Sequence, residues 1–442
     1  MANEKQPLEL LDNLLFPKIF QTFRIAIQPS KLFIAFSALV IICLAGRLMD
    51  IHKTVGADKG PQGRQTELQI YMTNPDGVRP YIEGLKESGE RAGVFATLWD
   101  FAAAKFKGAV DSVFAINVQG VAANIVDFFI AIRWAIKYHF VYCIIFFAIT
   151  LAAISAGGGA ICRIAALQFA RGEKPGLKEA IRFGIQKFTS FFAAPLVPIG
   201  IIIFIGVFIF LLGLIGNIPR IGELIMAVFM LLAFIAGALI AVVFIGAVAG
   251  FNLMPPAVAY DGSDCFDAIS RSFSYVYARP WRMTFYTAVA AVYGAICYTF
   301  VRFFAFLLLW TTHRFLHLGV WVNNSSKQIN KLPAIWPEPK FTMLVDTSTL
   351  ATANWSESLS AFLIHLLLWG VIGLIVSFIM SFYFSANTII YALMRNRVDN
   401  TALDDIYTPH FNETTIEPTI AEPNPAKAKM RPGSEIEADS SS

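Results

Sequence analysis

The 442-residue chain is short of the residue types that declare chemistry: 15% of it is charged, and it has six histidines and five cysteines. Cys43, Cys143, Cys162 and Cys297 lie in or beside apolar runs and Cys265 stands in a connector, which spells neither a disulfide framework nor a metal-binding pair. Thiols placed this way behave as small hydrophobes. The sequence has no paired-histidine zinc motif with an intervening glutamate, no phosphate loop and no nucleophile elbow. His313 and His317 share a helix face at a spacing of four, but no third ligand type stands near them, so no metal site is assigned. The net charge of +4 is spread along the chain, which leaves no basic footprint for nucleic acid. No catalytic residue and no cofactor are assigned, and the chain reads as not an enzyme.

What is abundant is apolar surface. With 56% hydrophobic residues and 40 phenylalanines, a chain of this length would expose too much apolar area to be stable in water, so it belongs in lipid. The fold class expected is all-α, a polytopic transmembrane helical bundle of about six spans. These fall near 32–48, 140–156, 196–215, 224–251, 283–310 and 361–383. Residues 1–31 form an amphipathic N-terminal segment, and 32–48 a retained first span rather than a cleaved signal peptide. The 49–139 stretch is an extracytoplasmic loop: Gly56 to Glu90 reads as irregular, Val94, Leu98, Phe101 and Phe106 restore helical periodicity, and Val121, Ile125, Phe129 and Ile132 continue it. The membrane core covers 140–408 and includes an outer loop at 311–360; the 409–442 tail is rich in Pro, Glu, Ala and Ser and reads as disordered.

Tandem amphipathic elbow helices, each followed by a helical hairpin, organise the spans. In Asp261–Trp281, Phe266, Ile269, Phe273 and Val276 recur at helical spacing, Ser263 or Asp264 suits the N-cap, and Pro280 ends the helix before an apolar run. Leu177, Ile181, Ile185 and Phe188 repeat this order ahead of Pro195. A third segment carries Leu8, Leu11, Leu15, Phe20, Phe23 and Ile27 and is broken at Pro17; Leu403-Asp404-Asp405-Ile406 reads as a truncated fourth. The stretch from Arg163 to Lys187 holds six basic residues and that from Arg271 to Arg282 three, so the elbows and both termini are expected to be cytoplasmic in a bacterial-type inner membrane.

Two candidate sites follow. Asp264, Asp267, Arg271, Arg279 and Arg282 crowd one elbow turn, where they suit anionic lipid headgroups or a membrane protein partner; the alternative is an internal pair of Asp267 with Arg271. Ser377, Ser381 and Ser385 repeat every four residues with Asn387 beyond, which is either a helix-packing stripe or a polar path; Ala233, Gly237 and Ala241 form a similar small-residue stripe. Arg302 lies about 30 Å along its span from Arg282, at the outer boundary, where it either snorkels or pairs.

The segments ICRIAALQFARGEKPGLKEAI, DAISRSFSYVYARPWR and IIYALMRNRVDN resemble recurring segments of multi-pass bacterial membrane proteins to which no activity is assigned. The elbow-then-two-spans plan from Gly157 to Ile406 is similar to the membrane domain of glycerophosphodiester phosphodiesterases, without a segment long and polar enough for their catalytic barrel. The resemblance implies an architecture and no functional residues. The function expected is a non-enzymatic scaffold or accessory component binding lipid or partner proteins. The alternatives are a transporter or channel for a small or lipid-like solute and, third, a membrane enzyme.

Overall fold

A computed structural model describes residues 15–60, 63–85, 90–319, 331–341, 343–345 and 355–408. The expected Leu8 and Leu11 face, Trp321 and the 409–442 tail lie outside them. After a 3-10 turn at Phe16–Gln21 come α1 (Thr22–Ala26) and α2 (Pro29–Met49). A small region follows with β1 (Val55–Gly60), β2 (Gly63–Thr66), α3 (Glu67–Thr73), α4 (Val78–Leu85) and β3 (Glu90–Ala92). The chain continues through α5 (Val94–Phe114), α6 (Val118–Tyr138), α7 (Phe140–Arg171), α8 (Leu177–Gln186) and α9 (Phe188–Ala193). The remaining helices are α10 (Leu196–Gly216), α11 (Ile221–Gly250), α12 (Met254–Asp261), α13 (Cys265–Ala278), α14 (Pro280–Gly319), α15 (Lys331–Ile335) and α16 (Trp355–Val398).

The fold is a helical bundle. Among the described residues seven helices are long and apolar enough to cross a membrane: α2, α6, α7, α10, α11 with its continuation α12, α14 and α16. The seventh, beyond the six expected, is α6. It lies inside the 49–139 segment, and its mean hydropathy of 1.3 is the lowest of the seven because Asp127 and Arg133 interrupt the apolar run. α6 pairs with α5 as a hairpin. The hairpin leaves from the sheet, where Phe95 meets Phe146 of α7, runs down α14, where Phe106 meets Tyr298, and returns to His139 beside Thr54. Both its ends therefore sit at the sheet end.

The irregular loop expected between Gly56 and Glu90 is instead a three-stranded antiparallel sheet of order β2-β1-β3, with Ala57 opposite Thr66 and Val55 opposite Ala92. Two inward alternations, Val55 and Ala57, are too few to read as a strand amid glycine and charge. They bury with Leu68, Tyr71 and Trp134 in a satellite core.

The main core lies at the other end, where α2, α7 and α16 meet. Gly157, Gly158 and Gly159 fall about 100° apart around α7. Cβ atoms there would meet Ala38 of α2 at 3.1 Å, Phe384 of α16 at 2.4 Å and Phe191 of α9 at 2.5 Å. The glycines are thus close contacts with three different neighbours, and α7 runs unbroken through them.

The segments before Pro195 and Pro280 are helical elbows, α8 with α9 and then α13, both at this elbow end. The N-terminal segment is placed differently. Phe16, Phe20 and Phe23 meet Phe285, Tyr293 and Phe300 edge to face in turn, so the segment climbs α14, with Ile19, Thr22, Ile25 and Ala26 buried. Pro17 stands in the first turn of the Phe16–Gln21 3-10 helix. The segment's aromatic face is periodic because it packs on helices. The expected truncated fourth elbow is not a helix: 403–404 form a turn and 405–408 run on without helix or strand.

Candidate functional site

Polar groups converge at the elbow end, centred on Asp261, the last residue of α12. Gly262 follows with φ of 64°, a left-handed C-cap that suits glycine, and a Cβ there would strike the Tyr407 ring. Asp261 is thereby held facing α16. Its Oδ1 lies 3.1 Å from Arg395 Nε, and its Oδ2 accepts from Tyr391 and, at 3.3 Å, from Arg271. Arg395 also donates to the Asp405 carbonyl and carboxylate at 2.7 and 3.0 Å. Rings of Tyr260 and Tyr275 flank Tyr391. Tyr275 donates to Asp399 at 2.5 Å; burial pushes its phenol up, and the neighbouring carboxylate adds to the rise. For Arg271 burial pulls the guanidinium down, but the Asp267 and Asp261 carboxylates outweigh it, so it stays charged.

The chain after α16 closes this cluster. Tyr407 N–H donates to Tyr260 O, and Arg163, 3% exposed, donates to Ala259 O at 3.0 Å and Tyr407 O at 2.8 Å while lying over the Phe183 ring. Ile406 is buried beneath. Lys31 is fully buried as well, and its Nζ donates to Ile25 O and Gln168 Oε1, both at 2.9 Å.

The five elbow residues expected to meet lipid or a partner divide into two groups. Asp264 caps α13 by accepting from Asp267 N–H at 2.8 Å, and Asp267 pairs with Arg271 four residues on at 3.0 Å. These three serve the internal network. Arg279 and Arg282 lie apart from it, exposed together with Trp281 at the start of α14.

The serine stripe is packed, not open. Ser377 donates to Gly373 O, Ser381 donates to Ala26 O at 2.7 Å, and Ser385 is fully buried. Asn387 donates to Tyr383 O at 3.0 Å and lines an apolar cavity between α5, α14 and α16. Arg302 donates to Tyr298 Oη at 2.9 Å on its own helix and to Phe341 O at 3.1 Å in the segment between α15 and α16. His313 Nε2 lies 3.2 Å from Trp336 O. Among the described residues no cluster of three metal-ligating side chains forms.

Sequence reasoning did not single out Tyr391, Arg395, Asp399, Asp405 or Tyr407. An Arg and an Asp within one turn after an apolar run, as in Arg395 to Asp399, was the available signal; that Arg395 meets Asp261 is decided far along the chain, between α12 and α16. No family model, curated protein or solved structure matches this chain.

Proposed function

We propose that the protein is a non-enzymatic membrane component that assembles with other membrane helices through the α10–α11 hairpin. The observation that carries this reading is unfilled space on glycine. Gly200, Gly206, Gly213 and Gly237 have no neighbour within 4 Å of where a Cβ would stand, although glycine at a helix surface is what lets another helix approach closely. No residue in the most apolar window of either helix is buried, against 28% in α2 and α16. Lipid tails can cover such a surface, but glycine lowers helix propensity and brings no gain there without a partner backbone.

In this reading the elbow end faces the cytoplasm of a bacterial-type cell. Lys174, Lys178, Arg182, Arg279 and Arg282 support this orientation, since all of them are exposed at that end. A photo-crosslinking amino acid replacing Phe234, 68% exposed on α11, tests the assembly in native membranes. An adduct of one defined protein mass is expected, twofold for a second copy or another fixed value for a different partner. Adducts to lipid alone overturn the reading.

A second reading concerns Arg279, Trp281 and Arg282, whose joint exposure at one helix start suits anionic headgroups. Arg279→Gln with Arg282→Gln then lowers the anionic fraction of co-purified lipid. An unchanged lipid profile removes this reading and leaves the assembly proposal standing.

A further inference from the structure

Between α5, α14 and α16 lies a cavity of about 360 Å³, within the range of small-ligand sites. One wall is built of small residues, Ala290, Ala291, Gly294 and Ala295 on α14, and it faces Phe106, Val110 and Val113 of α5. The small wall is what makes the hollow: Ala291 is exposed into it, whereas the Gly294 position is closed from behind by Phe382, which a Cβ would meet at 2.8 Å.

The cavity has two unlike ends. On α14 it extends from Thr287 to Tyr298, roughly 16 Å of helix. At the elbow end stand Asn252, Tyr383 and Asn387. Tyr383 donates to Asn252 Oδ1 at 2.5 Å, and Asn387 Nδ2 donates to Tyr383 O. Among the described residues this leaves the Asn252 amide N–H₂ and the Asn387 carbonyl oxygen without partners. The opposite end, at Phe106 and Tyr298, is aromatic.

All the free space there, about 1050 Å³ over roughly 16 Å, gives a cross-section of at most about 65 Å², a width of about 9 Å. An α-helix with side chains is about 10–12 Å wide, so a helix does not fit and a single alkyl chain does. A water-filled slot is disfavoured, because between the asparagine end and the Tyr298 hydroxyl the lining side chains are apolar and offer it no hydrogen bonds. We infer that this cavity holds one acyl chain of a membrane phospholipid, with its ester carbonyl at Asn252 and its methyl end between Phe106 and Tyr298. The amide N–H₂ of Asn252 is the donor for that carbonyl. The surrounding bilayer supplies the lipid, and the slot stands apart from the α10–α11 surface.

The test uses the full chain in liposomes of phosphatidylcholine, a fraction of which carries a diazirine at the end of one acyl chain. After irradiation the labelled residues are mapped by mass spectrometry. The zwitterionic headgroup separates the result from any anionic-lipid contact at Arg279 and Arg282. Label is expected at Phe106 and Tyr298, with little at Asn252. Ala291→Phe fills the slot from α14 and lowers that label about tenfold while label on α10 and α11 is unchanged. Val110→Trp fills it from α5 and gives the same loss, so the result does not depend on one variant folding. Label spread in proportion to exposure, label concentrated at Asn252, or insensitivity to both variants overturns the assignment. So does labelling by the corresponding free fatty acid when the phospholipid gives none.

Discussion

The molecule contains two antiparallel helical hairpins that solve the same problem in opposite ways. The α10–α11 hairpin is apolar all round, with a mean hydropathy of 3.0 in both helices and nothing within 4 Å of a Cβ on Gly200, Gly206, Gly213 or Gly237. The α5–α6 hairpin is closed by polar groups: Lys105 meets Asp127 at 2.7 Å, and a Cβ on Gly108 would lie 2.6 Å from Asn124 Oδ1. Asn117 caps the returning helix by accepting from Gly120 N–H at 2.9 Å. Phe106, next to Lys105 in the chain, meets Tyr298 near the middle of the 40-residue α14. A charge pair in an apolar setting costs desolvation and is retained where it fixes one arrangement. The polar seam therefore specifies its own partner within the chain, while the apolar hairpin leaves its outer faces open to lipid or to another molecule. Hydrophobicity places a helix in the membrane but does not choose what it packs against.

The contrast breaks hardest at the seam glycine. Gly108→Leu should cost about 3 kcal/mol by forcing α5 off α6, read as a lowered unfolding midpoint in detergent. Lys105→Met leaves Asp127 without its cation and should cost about 2 kcal/mol, since both side chains are roughly two-thirds buried. The double variant Lys105→Met with Asp127→Leu should recover most of that loss; if it does not, the pair is more than a seam contact. At the root of the apolar hairpin a Cβ on Gly246 would sit 2.9 Å from the Phe273 ring of α13, so Gly246→Ala should cost about 1 kcal/mol and loosen the hairpin from its elbow. Farther out, Gly237→Leu should cost less than about 0.5 kcal/mol of stability, because nothing lies near it. The same variant should abolish the protein adduct from position 234. A large loss of stability there, or an adduct that survives, erases the distinction between the hairpins.

The parts of this architecture that were legible in the sequence are those governed by local pattern. The elbows α8 and α13 carry an apolar residue every three or four positions and end at Pro195 and Pro280, so each shows its amphipathic face and its stop in the sequence. Asp264 as N-cap and the Asp267–Arg271 pair are also local, at spacings of three and four. The α6 helix was not counted as a span because Asp127 interrupts its apolar run, and a window that sees one helix at a time counts that carboxylate as unpaired although Lys105 of α5 meets it. The N-terminal phenylalanines showed their periodicity but not what they pack on, and α14 lies more than 250 residues downstream.

The sequence by itself determined that this chain is built of helices for lipid, where those helices bend, and which residues cap and pair within a turn, because such features depend on neighbours a few bonds away. Only the tertiary structure decided that Asp261 meets Arg395, that the serine stripe is buried against Ala26, and that Asn252 and Asn387 stand at the end of an apolar slot. A buried polar group takes whichever partner the folded chain brings within about 3 Å, and no local pattern records that distance.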